Sequence, residues 1–436
     1  MAQLKVLITT SYFWPEDAGS APYLTGLADH LAERGHDVLV ATTFAHYPEW
    51  ASSANGRLAA NERRNGVTIR RRWTYVPGTQ SALHRAGYEL SLLSFGLTAL
   101  PWRWRPDVVL GTCPSLAGGT LAGAASKLYR VPYGIVFQDL MGLAASQSGV
   151  AGGARVAGFV RSSELRLAAG AARIGIIAEG FRRYFVGAGL PSEKIDRLRN
   201  WTRRVAPDEE RSDTRRRYAW EDDFVCVHGG NMGQKQGLDN LLDAAALLRG
   251  TGVRIALVGD GNDRPRLERI AAEKNLDNVD FIDMQGPGRW EATMQAADLL
   301  LVNQRASVMD MSLPSKLTSY FASGQPVVAA VSADSETAHE ITSARAGIVV
   351  PPAEPAALRD AIVLLKEDRA RGAELGTGGE AYARSKLSRE NALAEYDVFV
   401  EKLLGGARRP PFSSRGLLGR RRAASARRSR RGSPGG

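Results

Sequence analysis

Three turns in the second half of this chain carry residue types suited to holding a phosphate. The first is the run His228-Gly229-Gly230-Asn231-Met232-Gly233-Gln234-Lys235-Gln236-Gly237, between a predicted strand at 224–228 and a predicted helix at 238–248. Glycines there let the backbone pass close to a ligand, and Lys235 brings a positive charge. The second is Val258-Gly259-Asp260-Gly261-Asn262, again from strand to helix. The third is Pro314-Ser315-Lys316, which opens a short helix. Proline suits a first helical position, and Gly324 with Pro326 should end that helix. The free N–H groups and dipole of a helix N-terminus favour an anion; Ser315 adds a hydroxyl and Lys316 a charge. Ligands of open parallel sheets bind beyond the carboxyl ends of the strands, and all three turns lie at that edge. No one turn is specific, but their recurrence points to a nucleoside-diphosphate site.

The elements that must position these turns alternate strand and helix. In the first half, a strand at 5–10, an apolar-periodic helix at 23–34 and a strand at 37–42 form a βαβ unit, so the sheet should be parallel. Further strands are expected at 67–71, 107–110, 133–137 and 173–177. The polar stretch 185–222 interrupts the pattern. The alternation restarts with strands at 224–228, 254–258, 279–282, 299–302, 327–330 and 347–350. This predicts an α/β protein of two Rossmann-like domains facing across a cleft. Residues 1–190 form the first and 223–388 the second, with a linker at 191–222, a closing helix at 389–404 and a tail from 405 to 436.

The chain resembles the retaining, GT-B-fold glycosyltransferases of the large group 1 family, especially those that build bacterial exopolysaccharides. The resemblance spans roughly residues 4–404. In the first half it rests on YFWPEDAGSA, ERGHDVLVAT and FQDLMGLAASQSG. In the second it rests on GGNMGQKQGLDNLLDAA, LVGDGNDRPRLERIA, AADLLLVNQ, LPSKLTSYFASGQPVVAA and the SETA…AGIVVPP run. It implies a nucleoside-diphosphate sugar held mainly by the second domain, a saccharide or polyprenyl-linked acceptor held mainly by the first, retention of configuration, and no metal or cofactor. Basic side chains and helix N-termini would stabilise the departing diphosphate.

The resemblance assigns roles to individual positions. Lys235, Lys316, Asp139 and Asn231 are the expected catalytic residues. Gly19, Gly230, Gly233, Gly259, Asp260, Gly261, Ser315, Ser319 and Glu336 are the expected donor-binding ones. Several positions depart from the family pattern. The usual Arg of the first glycine turn is Asn231, and the usual Lys falls at Gln236, beside Lys235. The usual pair of glutamates falls at Met311 and Ser319, and Gln138 replaces a frequent His. Ser315 and Lys316 are expected to take over phosphate binding. Plainer roles stay open: a helix N-cap for Asp139, a solvated loop acid for Glu336, a turn glycine for Gly19. A nucleotide-sugar epimerase of the same architecture and a non-catalytic scaffold remain as alternative functions.

Composition narrows the field further. The net charge is +11, but residues 407–436 hold ten arginines and no acid; without those ten charges the remainder carries +1. The folded body is near neutral and shows no nucleic-acid motif, so a nucleic-acid partner is not expected. The tail is expected to be disordered. Two cysteines, Cys113 and Cys226, make no disulfide framework or zinc spacing. No apolar run reaches the roughly 20 residues needed to span a bilayer, and the N-terminus does not read as a signal peptide. A cytoplasmic enzyme is expected. The uncharged stretch 90–102, ending in Trp102-Arg103-Trp104-Arg105, places Leu90, Leu93, Leu97 and Leu100 on one helical face. That face suits a buried core helix or, together with the tail, an anionic membrane surface.

Overall fold

The computed structural model describes residues 3–78, 81–142, 153–203, 205–306 and 315–406. The arginine-rich tail, Pro314 and Met311 lie outside them.

The first domain runs β1 (Lys5–Thr9), α1 (Ala21–Glu33), β2 (Asp37–Thr43), β3 (Ala59–Arg64), β4 (Val67–Arg72), α2 (Ala82–Leu97) and β5 (Val108–Cys113). It continues through α3 (Leu116–Tyr129), β6 (Tyr133–Phe137), α4 (Gly153–Gly170), β7 (Arg173–Ile176), α5 (Glu179–Gly187) and β8 (Ile195–Arg197). Among the described residues its eight strands pair in the order β3-β4-β2-β1-β5-β6-β7-β8, and of these β3 alone runs antiparallel. The apolar runs of β1 and β5 are buried on both faces, as a parallel sheet covered by helices requires.

The second domain begins with α6 (Arg211–Arg217), β9 (Phe224–Gly229), α7 (Asp239–Leu247), β10 (Val253–Val258), α8 (Arg264–Glu273), β11 (Val279–Ile282) and α9 (Arg289–Ala296). Then come β12 (Leu299–Asn303), α10 (Ser315–Ser323), β13 (Val327–Ala330), α11 (Glu336–Ala344), β14 (Gly347–Val350), α12 (Pro355–Glu367) and α13 (Arg369–Lys386). Its six strands are all parallel, in the order β11-β10-β9-β12-β13-β14. The last helix, α14 (Arg389–Gly406), returns to the first domain. There Tyr396, Phe399 and Leu403 pack into one core with Val6, Val136 and Trp201, and His30 meets Asp397 at 3.1 Å.

Two expectations change. The stretch read as a linker at 191–222 contains β8, which extends the first sheet, and α6. The helix that holds the start of the uncharged stretch spans 82–97, carries Arg85 and Glu89 ahead of it, and turns Tyr88, Leu92 and Gly96 inward. Leu90 and Leu97 are exposed instead. Residues 90–97 hold no charge to mark a polar face, so their periodicity did not decide between a buried and an exposed setting for these leucines.

Candidate active site

A cavity of about 930 Å³ lies between the two sheets, at the carboxyl ends of their strands. From the first domain Tyr12, Gly19, Tyr47 and Asp139 line it; from the second, Gly230, Asn231, Lys316 and Ser319. Both walls follow the rule that ligands meet open α/β sheets at that edge.

The second-domain wall rests on two interlocked turns. Gly230 N donates to Val258 O at 2.8 Å, and Met232 N donates to Asp260 O at 2.8 Å. Gly259 has φ +139°, and a Cβ there would lie 2.1 Å from Gly230 O, so only glycine lets the turns meet. Gly233, Gly259, Asp260 and Gly261 are not among the residues that line the cavity. Gly259 and Gly261 instead pack against the first turn, behind Gly230 and Asn231. Lys235 is corrected outright. It is exposed on the short 3₁₀ turn Gln234–Gln236, while Gln236 faces the cavity. Adjacent residues of a 3₁₀ turn point about 120° apart, so the lysine and its neighbour cannot share one direction.

Lys316, in the first turn of α10, is the centre of this wall. Its ammonium lies 3.5 Å from His228 Nε2, and His228 Nδ1 lies 3.1 Å from Leu301 O. The Nδ1–H therefore donates to the carbonyl, and the Nε2 lone pair faces the ammonium. Burial, then the Lys316 charge, hold the His228 pKa well below its ordinary range. Burial also pushes Lys316 down to about 8. Ser319 lines the cavity one turn further on. Ser315 opens the helix, and its side chain lies outside the description.

On the facing wall, Asp139 follows β6, and burial raises its carboxyl to about 6. Buried Glu164 on α4 accepts from Gly142 N at 3.2 Å, fixing the chain just after Asp139. Gln138 Oε1 accepts from Asn200 Nδ2 at 2.8 Å. Tyr12 stacks on His46 at 5.4 Å between ring centroids, and His46 Nε2 meets the Tyr88 hydroxyl at 3.1 Å.

Glu336, expected among the donor-binding residues, is not among those that line the cavity. It is almost fully buried, and its carboxylate accepts from Glu179 N at 2.8 Å and Gly180 N at 3.0 Å, at the N-terminus of α5. Arg197 joins it at 3.4 Å and also pairs with Glu340. A carboxylate at a helix N-terminus beside a guanidinium is a favoured arrangement, and here it clasps the two domains together.

Three cleft arginines escaped the sequence reading: Arg197, Arg199 and Arg203. Arg197 and Arg199 alternate along an extended segment, which puts both on one side; that spacing was the available signal. Each pairs with an acid: Arg197 with Glu336 and Glu340, Arg199 with Glu395, Arg203 with Asp17. Among the described residues, Lys316 is therefore the cleft-lining cation with no carboxylate partner. No group of three His, Cys, Asp or Glu among the described residues is arranged to hold a metal ion.

Comparison with known proteins accounts for both domains. A model of the glycosyl transferase 4-like domain matches residues 18–201, and a model of the glycosyl transferases group 1 matches residues 210–382. WcaI of Escherichia coli (strain K12), named as a colanic acid biosynthesis glycosyl transferase, is 28% identical over 415 residues, 90% of this chain and 98% of that protein. A GDP-mannose-dependent alpha-mannosyltransferase of Mycobacterium tuberculosis (strain CDC 1551 / Oshkosh) is 27% identical over 280 residues, 62% of this chain and 66% of that protein. Among solved structures, Anabaena Alr3699/HepE in complex with UDP and glucose matches with a TM-score of 0.65 at 17% identity, covering 92% of this chain and all of that one. Sucrose-phosphate synthase from Thermosynechococcus elongatus matches with a TM-score of 0.69 at 17% identity, covering 92% of this chain and 99% of that one. With a glycosyl transferase model on each domain, that of group 1 on the second, and a relative aligned along nearly its whole length, the chain is a glycosyltransferase of GT-B fold.

Proposed function

We propose that this glycosyltransferase moves a sugar from a nucleoside diphosphate to a saccharide on a polyprenyl carrier, with retention and without a metal, in the synthesis of a cell-surface polysaccharide. The carrying observation is Lys316: a desolvated cation facing the cavity, with no acid paired to it among the described residues. Such a group is costly unless an anion arrives, and a diphosphate is the anion that fits. As the bond from the sugar C1 to the phosphate oxygen breaks, negative charge grows on the diphosphate. Lys316 and the first N–H groups of α10 stabilise that charge. Asp139 stands on the opposite wall, where the acceptor hydroxyl would bind, and orients it toward C1. The colanic acid name of the long-matching relative supports the polysaccharide assignment. Neither the epimerase nor the scaffold reading gains support, because both matched models are of glycosyl transferases.

The test is a thermal-shift panel of nucleoside diphosphates and their sugars on the full chain, followed by product analysis. A donor at a hundredfold excess over its dissociation constant should stabilise the protein by about 2.7 kcal/mol. The product should keep the donor's anomeric configuration by NMR, and EDTA should leave the rate unchanged. An inverted product, or a rate abolished by EDTA, overturns those parts of the proposal.

A further inference from the structure

The outer face of α2 exposes large apolar side chains that the packing of the first domain does not cover. Leu83, Leu90 and Leu97 are 86%, 66% and 46% exposed. They sit seven residues apart, so they form one stripe along the helix with only about 20° of drift per step. Ala86 and Ser94 share this exposed face. The Ser94 hydroxyl donates back to Leu90 O at 2.8 Å, so it offers little to water. The acid of this helix, Glu89, points inward and accepts from Ser115 Oγ at 2.9 Å and Ala117 N at 2.7 Å. The result is an uncharged strip about 21 Å long, at 1.5 Å per residue. An ordinary solvated helix carries charges on its outer face.

The strip ends among exposed cations. Trp102, 95% exposed, follows it, and Arg103 stands beside Trp102 in solvent. The Tyr129 hydroxyl donates to Pro101 O at 2.6 Å, and Arg105 donates to Tyr129 O. These bonds bring Lys127, Leu128 and Arg130, all exposed, against the same corner. The nearby acids are engaged: Asp37 by Trp104 Nε1, and Asp107 by Lys5 N.

We infer that α2 and the 102–105 turn form a docking face for an anionic lipid bilayer, with the leucines and Trp102 inserted at headgroup depth. The charge pattern selects that occupant over a second copy of the chain. Arginines and lysines around an apolar strip complement anionic headgroups, whereas two such faces brought together would repel. No helix among the described residues is long and apolar enough to cross a membrane, so contact is in the plane of the surface. The inner face of the same helix reaches the acceptor wall through Tyr88, His46 and Tyr12. The docking face therefore sets the cleft beside the lipid.

Cys113 and Cys226 are fully buried, so a thiol introduced on the surface can be labelled alone. Full-length Ser94→Cys carrying an environment-sensitive fluorophore should shift to the blue with phosphatidylglycerol vesicles and be quenched by brominated acyl chains. The same label at Thr377→Cys, on exposed α13, should do neither. Leu90→Asp with Leu97→Asp, in protein shown to be folded by circular dichroism, should bind these vesicles at least about tenfold less. Vesicle binding with an unchanged Ser94 label would place the contact on the arginine tail and overturn the inference. So would no vesicle binding, or burial of the label by dimerisation without lipid.

Discussion

The two walls of the cleft are made by different means. The second domain presents backbone: two glycine turns locked together, the start of a short helix, and one lysine with no carboxylate partner among the described residues. The first domain presents side chains: tyrosines, Gln138, Asp139 and arginines already satisfied by carboxylates. A backbone cradle suits a part common to many donors, the diphosphate. A side-chain wall suits the part that varies, the acceptor. One architecture thus appears twice with opposite division of labour, and each domain should answer differently to substitution.

The largest effect should be on stability and confined to one domain. Phe399→Ala removes a fully buried ring from the core between α14 and the first sheet. It should cost about 3–5 kcal/mol, with hydrogen-exchange protection lost in β1 and β6 while β9 and β10 keep theirs. Equal loss in both sheets would show that the domains do not fold as separate units.

Next comes the wall of the second domain. Lys316→Ala should weaken nucleoside-diphosphate binding by about 2–3 kcal/mol, or roughly 30–150-fold, the worth of a hydrogen bond to a charged group. Calorimetric titration measures this, and the acceptor KM should not move. Donor affinity of the unaltered protein should also fall above about pH 8, where Lys316 loses its proton.

Asp139 should separate activity from stability. Its folded pKa, about 6, lies above its ordinary value because of burial. The neutral form is therefore the one that the fold favours. That share of stability is complete below about pH 4 and is lost as the pH rises through 6. Asp139→Asn should gain about 1–2 kcal/mol at pH 7.5. The acid limb of kcat/KM near pH 6 should vanish with it, at a lower plateau. A pH profile identical to that of the unaltered enzyme would remove Asp139 from the acceptor site.

The smallest effect is expected at Lys235. Exposed and turned from the cavity, it should tolerate alanine within about twofold in donor affinity, since surface substitutions fall within about 0.5 kcal/mol. A tenfold loss would return it to the site.

The same contrast explains what could be read from sequence. The apolar runs at 5–9, 133–137, 224–229 and 299–303 are continuous because those strands are buried on both sides. Strand β3 escaped because it is an edge strand with the polar sequence AANERR. Helix α13 escaped because its glycines lower helical propensity. The structure supplies their reason at Gly376, where a Cβ would sit 2.0 Å from Gly324 O, at the close crossing with α10. On the second-domain wall, local motifs sufficed to find the cavity-lining Gly230, Asn231 and Lys316. On the first-domain wall only Gly19 and Asp139 were found, because Tyr12, Tyr47 and Arg199 converge from distant segments with no shared motif. Glu336 was misplaced because its partners lie more than 130 residues away, on the other domain.

The return of α14 has a consequence for the protein as it is made. The first domain's core includes residues 392–403, so a nascent chain that has emerged through residue 203 still lacks part of that domain's interior. At about 5–20 residues per second, the ribosome needs roughly 10–40 s more to supply it. Through that interval the surface of β1 and β6 awaiting Phe399 stays open, while the second domain can close around its own strands. The domain that begins first in sequence is the one completed last in time.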